Sequence, residues 1–365
     1  MALKVAIVGL PNVGKSTLFN AVTQTAAAQA ANYPFCTIEP NVGDVAVPEP
    51  RLDALAKIAG SKEIIPARIN FVDVAGLVRG ASKGEGLGNQ FLATIRDCDA
   101  VAFVARCFVD DDITHVEGRV DPIDDLDIIE TELMLADLES LEKRVVNLEK
   151  RAKGGDKESA TTLRLVRLAL EQLNAGRPAF TAKVPAEDAK AWRMLQLLTA
   201  KPALYVCNVD EASAETGNAL SAKVAERAAK DGAKAVIISA KIEAEIAMLD
   251  EGERAEFLET LGLAEPGLNR LIHEAYALLG LQTYFTAGPK ESRAWTIGVG
   301  DTAPQAAGVI HSDFERGFIR AETIAYEDYV ALGGEAGAQQ AGKMRLEGKS
   351  YVVADGDVMH FRFAT

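Results

Sequence analysis

The stretch VGLPNVGKSTLFN, Val8–Asn20, raises the first question about this chain, which is what anion it binds. The spacing Gly9-x-x-x-x-Gly14-Lys15-Ser16 is that of a phosphate-binding P-loop. An apolar, strand-like run precedes the motif and a helical sequence follows it, which is the context that such a loop requires. The glycines let consecutive main-chain N–H groups point at a phosphate, and the start of the helix adds positive potential.

This motif also assigns roles to individual side chains. Lys15 is predicted to reach the β- and γ-phosphates and to act in catalysis, and the hydroxyl of Ser16 is predicted to ligate Mg²⁺. A chance match to the pattern is the alternative, and the flanking strand and helix argue against it. The predicted nucleotide-binding residues of the loop are Asn12, Val13, Gly14, Lys15, Ser16 and Thr17.

Two motifs farther along the chain are typical of nucleotide switches. In FVDVAG, Asp73-x-x-Gly76 follows a predicted strand, so Asp73 is predicted to hold Mg²⁺ through water and the Gly76 N–H to sense the γ-phosphate in catalysis. Thr37, in NYPFCTIEP, is the candidate for a second hydroxyl on Mg²⁺. The alternatives are a plain turn and an ordinary loop threonine. Glycines recur between residues 76 and 88, which would let that segment order around a γ-phosphate and relax after its loss.

The composition is that of an ordinary globular protein. The chain has 365 residues, of which 48% are apolar and 25% charged, and its net charge is −14. This acidity disfavours non-specific binding to nucleic acid, and we expect no DNA partner. The four cysteines are scattered, which fits a reducing cytoplasm better than a disulfide framework. No apolar run approaches the roughly 18 residues of a membrane span, so we expect no membrane partner.

Short apolar runs alternate with helical stretches, which predicts a doubly wound, mostly parallel α/β sheet. We assign residues 1–126 and 200–279 to this nucleotide-binding domain. Residues 280–365 change in texture to short strand-like segments broken by Gly, Pro and Asp, and are predicted to form a small mixed α+β domain. The predicted strands of the large sheet are Lys4–Gly9, Arg68–Asp73, Ala100–Cys107, Ala203–Val209 and Lys234–Ala240.

One segment, residues 127–199, does not fit this alternation. It begins with a long, charged helical sequence from about Asp127 to Lys153, followed by a second helix to about Asn174 and a third over roughly Ala186–Thr199. We predict a coiled-coil-like helical insertion, and an ordinary amphipathic pair packed on the sheet is the alternative. Apolar residues alternate spacings of four and three in the first helix, at Met134, Leu138, Leu141, Val145, Leu148 and Ala152.

These motifs together resemble the YchF subfamily of Obg-related P-loop NTPases, the Obg-like ATPases. The resemblance covers nearly the whole chain and is carried by GLPNVGKST, NYPFCTIEP, DVAGLVRGASKGEGLGNQF, NVDE and LQTYFTAG. It implies a nucleotide-binding domain, a coiled-coil-like helical domain and a C-terminal TGS domain of ubiquitin-like β-grasp shape. It also implies ATPase activity, association with ribosomes and links to oxidative stress.

The segment Asn208-Val209-Asp210-Glu211 bears on the choice of base. In relatives that bind guanine this position reads Asn-Lys-x-Asp, and the Asp pairs with two donors of guanine. Here Val209 replaces the Lys, and Glu211 is one methylene longer than Asp. Displacing that carboxylate weakens guanine recognition by on the order of 1–3 kcal/mol. The resemblance implies that ATP is preferred over GTP, with the main chain near Val209 reading adenine. Asn208, Ser239 and Ala240 are predicted to line the same pocket, and strict GTP preference is the alternative.

The chain lacks the side chain that usually orients the attacking water. Many GTPases place a Gln directly after D-x-x-G, and this chain has Leu77 there, which cannot orient water. Another group, a partner or a K⁺ ion must act instead, or hydrolysis must be slow. His115 lies in a loop expected at the carboxyl edge of the sheet, where ligands bind. An imidazole exchanges protons near neutral pH, and the resemblance implies that His115 is the catalytic position. A solvated loop histidine is the alternative.

The sequence therefore favours an ATP-binding, Mg²⁺-dependent molecular switch that associates with the ribosome, through its large subunit or as a whole. A GTPase switch and a nucleotide-bound adaptor with little turnover are alternatives from the same fold. A metabolic kinase fits less well because the D-x-x-G motif and the 208–211 segment are those of switches.

Overall fold

The computed structural model describes residues 3–32, 41–74, 87–115 and 118–364. The chain forms two compact units, Met1–Asp44 with Asn70–Leu271, and Val45–Ile69 with Ile272–Thr365. The strands are β1 (Lys4–Val8), β2 (Val42–Ala46), β3 (Glu63–Ile65), β4 (Arg68–Asp73), β5 (Ala100–Arg106), β6 (Ala203–Asn208), β7 (Lys234–Ile238), β8 (Leu281–Ala287), β9 (Glu291–Gly298), β10 (Phe318–Ile324), β11 (Arg345–Glu347) and β12 (Val358–Phe363).

The α-helices and four short 3₁₀ turns make up the remaining regular structure of the described residues. The α-helices are α1 (Lys15–Asn32), α2 (Pro50–Ala59), α3 (Leu87–Arg96), α4 (Pro122–Lys153), α5 (Lys157–Asn174), α6 (Ala189–Arg193), α7 (Ala219–Lys230), α8 (Ala240–Ile246), α9 (Glu251–Thr260), α10 (Gly267–Leu278), α11 (Ala303–Ile310), α12 (Ser312–Arg316), α13 (Tyr326–Ala331) and α14 (Glu335–Gln340). None of the described helices combines the length and apolar character needed to cross a membrane.

The first sheet has the strand order β2-β4-β1-β5-β6-β7. The β1–β4, β1–β5, β5–β6 and β6–β7 pairs are all parallel. Every residue of β5 is buried, as expected for a central parallel strand covered on both faces. The carboxyl ends of β1, β4, β5 and β6 therefore lie side by side at one edge, and this edge positions the candidate site.

A helical hairpin, α4 with α5, lies between β5 and β6 in the sequence. Asp121 caps α4 by accepting from the N–H groups of Ile123 and Asp124, and Asp156 caps α5 in the same way. Five of the six predicted seam residues, all except Ala152, pack into one apolar cluster with α5. The buried members of this cluster are Leu141, Leu165, Val166, Ala169, Leu173, Ala179, Leu195 and Leu197.

The second sheet has the order β11-β10-β12-β8-β9-β3. The β8–β9 hairpin is antiparallel, and β12 returns to pair in parallel with β8. Helix α11 packs against this sheet, with Ala303, Ala306 and Ala307 in the buried cluster. A hairpin, a helix and a parallel return strand make the β-grasp arrangement that the resemblance implied.

The structure differs from the sequence prediction in three places. Strands β2 and β3 were not predicted, and β3 pairs in parallel with β9, so that Val45–Ile69 is grouped with the C-terminal residues. A strand of three residues, such as β3, is too short to show a periodic pattern, and its pairing with a distant segment cannot be read from the sequence. The predicted third helix over 186–199 was wrong, because only Ala189–Arg193 is α-helical between short 3₁₀ turns. Helix α4 begins at Pro122 rather than near Asp127, because Asp121 supplies the cap.

Candidate functional site

The P-loop joins the end of β1 to the start of α1. Gly14 has φ of +88°, and a Cβ atom built there would come within 2.1 Å of the side-chain nitrogen of Asn208. Only glycine fits this position, because the backbone is left-handed and the space is taken. Asn12 also has a positive φ, 64°. The Leu18 N–H donates to the Gly14 carbonyl at 2.9 Å, so the loop turns directly into the first turn of α1.

Asn208, at the end of β6, holds the P-loop in place. Its Nδ2 donates to the Val13 carbonyl at 2.9 Å, and its Oδ1 accepts from the Ala240 N–H at 2.9 Å. The side chain is buried. One amide therefore joins the P-loop to the segment after β7, and both of its hydrogen bonds are shielded from water.

Lys15 and Asp73 form an ion pair at the phosphate end of the site. Lys15 Nζ donates to Asp73 Oδ1, with the two side chains 8% and 21% exposed. The parallel β1–β4 pairing brings them together, because Ile7 lies opposite Asp73 in the register. Asp73 and the exposed hydroxyl of Ser16 offer the hard oxygen ligands that Mg²⁺ prefers, so the donor set fits that ion.

A cleft of about 890 Å³ opens beside these residues. Its volume is in the range of small-molecule sites, which is large enough for a nucleoside triphosphate. The residues that line it are Leu10, Pro11, Asn12, Gly14, Lys15, Ser16, Thr17, Phe108, Val109, Asp110, Ile113, Asn208, Val209, Asp210, Glu211, Ala240 and Lys241. Most of the sequence-predicted nucleotide-binding residues are among them, and Val13 and Ser239 lie buried behind this surface.

Two polar features near the 208–211 segment are notable. Lys241 donates to Glu211 Oε1, and this hydrogen bond lowers the pKa of Glu211. The buried hydroxyl of Ser239 has no hydrogen-bond partner in the described part of the chain. The Val209 N–H donates to the Ile238 carbonyl at 2.9 Å and is therefore not available to read a base.

Arg106, the last residue of β5, organises the loop that follows it. Its guanidinium donates to the carbonyls of Phe108, Asp110 and Ile113 at 3.3, 3.1 and 3.0 Å, and it lies 4.6 Å from the centre of the Phe108 ring. Arg106 is 1% exposed. Three directed donors on one rigid side chain fix the course of a loop whose residues line the cleft.

His115 lies at the end of this loop, buried and not among the residues that line the cleft. Its Nε2 is 2.9 Å from Oδ2 of Asp125, and the two side chains are 4% and 3% exposed. The preceding carbonyl, of Thr114, accepts from Asn12 Nδ2 at 3.0 Å. His115 is thus one residue away from a direct contact with the P-loop.

Comparison with known proteins assigns the family. A "Ribosome-binding ATPase YchF" of Haemophilus influenzae is 58% identical over 363 residues, covering 100% of this chain and 99% of the relative. One of the same name from Bacillus subtilis is 56% identical over 365 residues, covering 100% of both. The structure titled "Structure of the Schizosaccharomyces pombe YchF GTPase" matches with a TM-score of 0.87 at 38% identity, covering 99% of this chain and 97% of that chain.

The chain belongs to the YchF family of P-loop nucleotide hydrolases. Two family models match it. The one described as "50S ribosome-binding GTPase" matches residues 4–150, and YchF-GTPase_C, described as "Protein of unknown function (DUF933)", matches residues 281–364.

Some predicted YchF site residues lie outside the described residues. Thr37 and Gly76 belong to segments 33–40 and 75–86, and so does Leu77. Their assignments as metal ligand, phosphate sensor and missing water-orienting position remain predictions. Lys15 and Ser16 do line the cleft, and Asp73 is paired with Lys15.

Sequence reasoning missed two residues that organise this YchF site. Arg106 is the only charged residue in the apolar run AVAFVARC, and a lone arginine in a buried strand was a usable signal. Asp125 gave no signal, because it is one of several acids in DPIDDLD and only the fold shows which one is buried.

The structure also brings together Glu322, Glu335 and His360, whose ligand atoms lie within 4.8 Å of one another. Their sequence spacing did not predict this. Arg362 donates to both oxygens of Glu322, at 3.2 and 3.0 Å, and Arg320 lies 3.7 Å from it. Guanidinium groups already neutralise this carboxylate, so the cluster is an ion-pair network and we assign no metal to it.

Proposed function

We propose that this protein binds ATP with Mg²⁺ in the cleft, hydrolyses it, and uses the cycle to change how it associates with the ribosome. The relatives named ribosome-binding ATPases align along the full chain, which supports both parts of the proposal. A ribosomal partner supports a cytoplasmic location, and the free, buried thiols of Cys98, Cys107 and Cys207 fit a reducing compartment.

The Lys15–Asp73 ion pair at the mouth of the P-loop is the single observation that carries the proposal. Lys15 is almost fully buried and its counter-ion is the residue predicted to hold Mg²⁺. A triphosphate would replace Asp73 as the partner of Lys15 and would release the carboxylate toward the metal. This exchange gives the site two arrangements, one with nucleotide and one without, as a switch requires.

Mg²⁺ would be held by Ser16 and Thr37 directly and by Asp73 through water. When bound, the ion neutralises charge on the β- and γ-phosphates during transfer. Main-chain N–H groups of residues 12–17 and the start of α1 bind the phosphate oxygens. Gly76 is the candidate for the N–H that detects the γ-phosphate.

For the base, we propose that ATP is preferred over GTP. Guanine recognition needs a carboxylate that faces two donors of the base. Glu211 instead accepts from Lys241, and the Glu211 side chain is 43% exposed. Val209 lines the cleft, and its carbonyl is the candidate for a contact with adenine. The hydroxyl of Ser239 lies buried behind this surface.

His115 is our candidate for orienting the attacking water, in place of the glutamine that other families use. A K⁺ ion near the phosphates is an alternative helper for the same step. The two are separated by comparing turnover in potassium and sodium buffers.

A GTPase is the second candidate function. The matching family model is described as a ribosome-binding GTPase, and the similar Schizosaccharomyces pombe protein is called a YchF GTPase, which supports this candidate. A bound adaptor with little turnover is the third, and it requires only the binding half of the site.

Competition calorimetry separates these functions. ATP and GTP are titrated into the protein with Mg²⁺, and phosphate release is followed over many turnovers. We expect tighter binding and faster turnover with ATP, and loss of both in Lys15→Ala. Lys143→Ala is the matched control, since Lys143 is an exposed lysine that pairs only with Glu139 in the described structure. Tighter GTP binding, or binding without turnover, would support the second or third candidate instead.

Association with the ribosome is tested by co-sedimentation with 30S, 50S and 70S particles. We expect the protein to pellet with 50S or 70S particles, and expect the amount to differ between ADP and a non-hydrolysable ATP analogue. Equal recovery with all particles and all nucleotides would contradict a nucleotide-controlled switch.

A further inference from the structure

Stability alone is a weak explanation for the buried His115–Asp125 pair. Both side chains are almost fully buried, and Nε2 and Oδ2 are 2.9 Å apart. Removing a carboxylate and an imidazole from water is costly, and well-packed apolar residues of similar volume often stabilise a protein as much or more. A polar pair retained beside a ligand cleft therefore suggests a role for the position of the imidazole.

Asp125 is itself held rigidly. It lies in the first turn of α4, where its N–H donates to the Asp121 carbonyl at 3.1 Å. Pro122 stands at the first helical position and Asp121 caps the helix with its side chain. A carboxylate on a capped helical turn has little freedom to move, so it can define where the imidazole lies.

The other side of His115 is fixed by the loop that leads to it. Arg106 holds three carbonyls between residues 108 and 113, and Thr114 is bonded to Asn12 of the P-loop. His115 is therefore held between the P-loop and α4.

We propose that Asp125 is the positioning residue of His115. The carboxylate bonds Nε2, which keeps the ring proton on that nitrogen and fixes the orientation of the ring. This inference rests on the proposed role of His115 in hydrolysis and names the residue on which that role depends. A carboxylate that fixes the tautomer and orientation of a histidine has the same function in hydrolases of unrelated fold.

The test measures kcat and KM for ATP in Asp125→Asn, Asp125→Ala, His115→Ala and the His115→Ala/Asp125→Ala double variant. We expect Asp125→Asn to lower kcat by about tenfold or more, up to the roughly 10²- to 10⁴-fold that general acid–base catalysis contributes, with KM changed less than about threefold. The double variant should be no slower than His115→Ala, because Asp125 acts only through His115. Asp124→Asn is the matched control, since Asp124 is the next residue, half-exposed and paired with Arg119.

A second measurement does not depend on turnover. The ¹⁵N chemical shifts of the His115 ring report its tautomer, and we expect the Nε2–H form in the wild type and a mixture of tautomers in Asp125→Ala. Thermal unfolding and ATP affinity of each variant show whether it is folded.

The outcomes separate this inference from the proposed function. A slow His115→Ala together with a wild-type Asp125→Asn would overturn the inference alone. If His115→Ala hydrolyses ATP at the wild-type rate, the inference and the proposed role of His115 are both overturned. Both are also overturned if the wild type shows no turnover and the His115 ring has the same tautomer in Asp125→Ala. A lower kcat in the double variant than in His115→Ala would show that Asp125 acts independently of His115, as a structural residue. Faster hydrolysis in Asp125→Asn would show that Asp125 slows the reaction in the wild type. Either result rejects the inference.

Discussion

Replacing Asn208 by alanine should weaken both the fold of the first unit and its affinity for nucleotide. The variant removes the amide that joins the P-loop to the start of α8. The Val13 carbonyl and the Ala240 N–H, each bonded at 2.9 Å in the wild type, lose their partners. Val13 is 0% and Ala240 2% exposed, so neither group regains a full hydration shell.

The expected cost follows from those two groups. A buried donor or acceptor left unpaired costs about 1–3 kcal/mol. The cleft beside Asn208 admits water to the space left by the amide, so we take the lower part of the range for each group, about 2–3 kcal/mol in total. At about 1.4 kcal/mol per tenfold, this corresponds to a change of roughly 30- to 150-fold in the folding equilibrium of the unit. Nucleotide affinity should fall by about tenfold or more, because the loop is no longer held in its binding conformation.

Hydrogen exchange followed by mass spectrometry measures the stability, since it reports β1 and β6 separately from the second unit. Calorimetry measures the affinity for ATP. Asn208→Asp should be no better than alanine, because the carboxylate repels the Val13 carbonyl. Asn218→Ala is the matched control: this half-buried amide donates to the Cys107 carbonyl at 2.7 Å and caps α7, but does not line the cleft. It should lose stability and keep its ATP affinity. Wild-type stability and affinity in Asn208→Ala would refute the reasoning.

Three further predictions concern other parts of the chain. Glu211→Asp should improve GTP binding relative to ATP by about tenfold in competition titrations, because a shorter carboxylate cannot reach Lys241 and turns back toward the base; an unchanged ratio counts against it. Arg106→Lys replaces three directed donors with one ammonium and should lower the free energy of unfolding, measured in urea, by about 1–3 kcal/mol. An unchanged urea midpoint of unfolding would contradict this prediction. Hydrogen bonds from Ser159 hold the pKa of Asp156 at about 2, below its ordinary 3.8, so the stabilisation exists above pH 4 and disappears as pH falls to 2. The Tm difference between wild type and Asp156→Ala should shrink over that range, and a constant difference would contradict it.

The sequence predicted the parts of the fold that local chemistry dictates. The P-loop is a contiguous motif whose glycine spacing reflects backbone geometry, and Gly14 indeed has a left-handed φ and no room for a side chain. The heptad spacing of the first long helix predicted the α4–α5 contact, because residues at such spacing share one face. In both cases the cause and its effect lie within a few turns of chain.

The rest depended on contacts between distant segments. Strand β3 is defined by pairing with β9, more than two hundred residues later, and its own three residues carry no period. Asp125 differs from its neighbour Asp124 only in the side of the helix that it faces. The Asp125 side chain is 3% exposed and the Asp124 side chain 48% exposed. Such distinctions arise from packing, and a single sequence does not contain them in a readable pattern.

Helix α4 connects the candidate catalytic loop to the helical hairpin as one rigid element. It is fixed to the first unit at Asp125, which bonds His115, and at Glu130, which accepts from Tyr205 and Arg227. A third attachment is Asp137, which accepts from the N–H groups of Leu198 and Thr199, both at 2.9 Å. These attachments span about 18 Å at 1.5 Å per residue, and the helix continues beyond them to Lys153. Because its backbone is continuous, a force applied to the hairpin by a large partner reaches Asp125 without crossing a flexible joint. If Asp125 positions His115, α4 joins the hairpin to the group that sets the orientation of that ring.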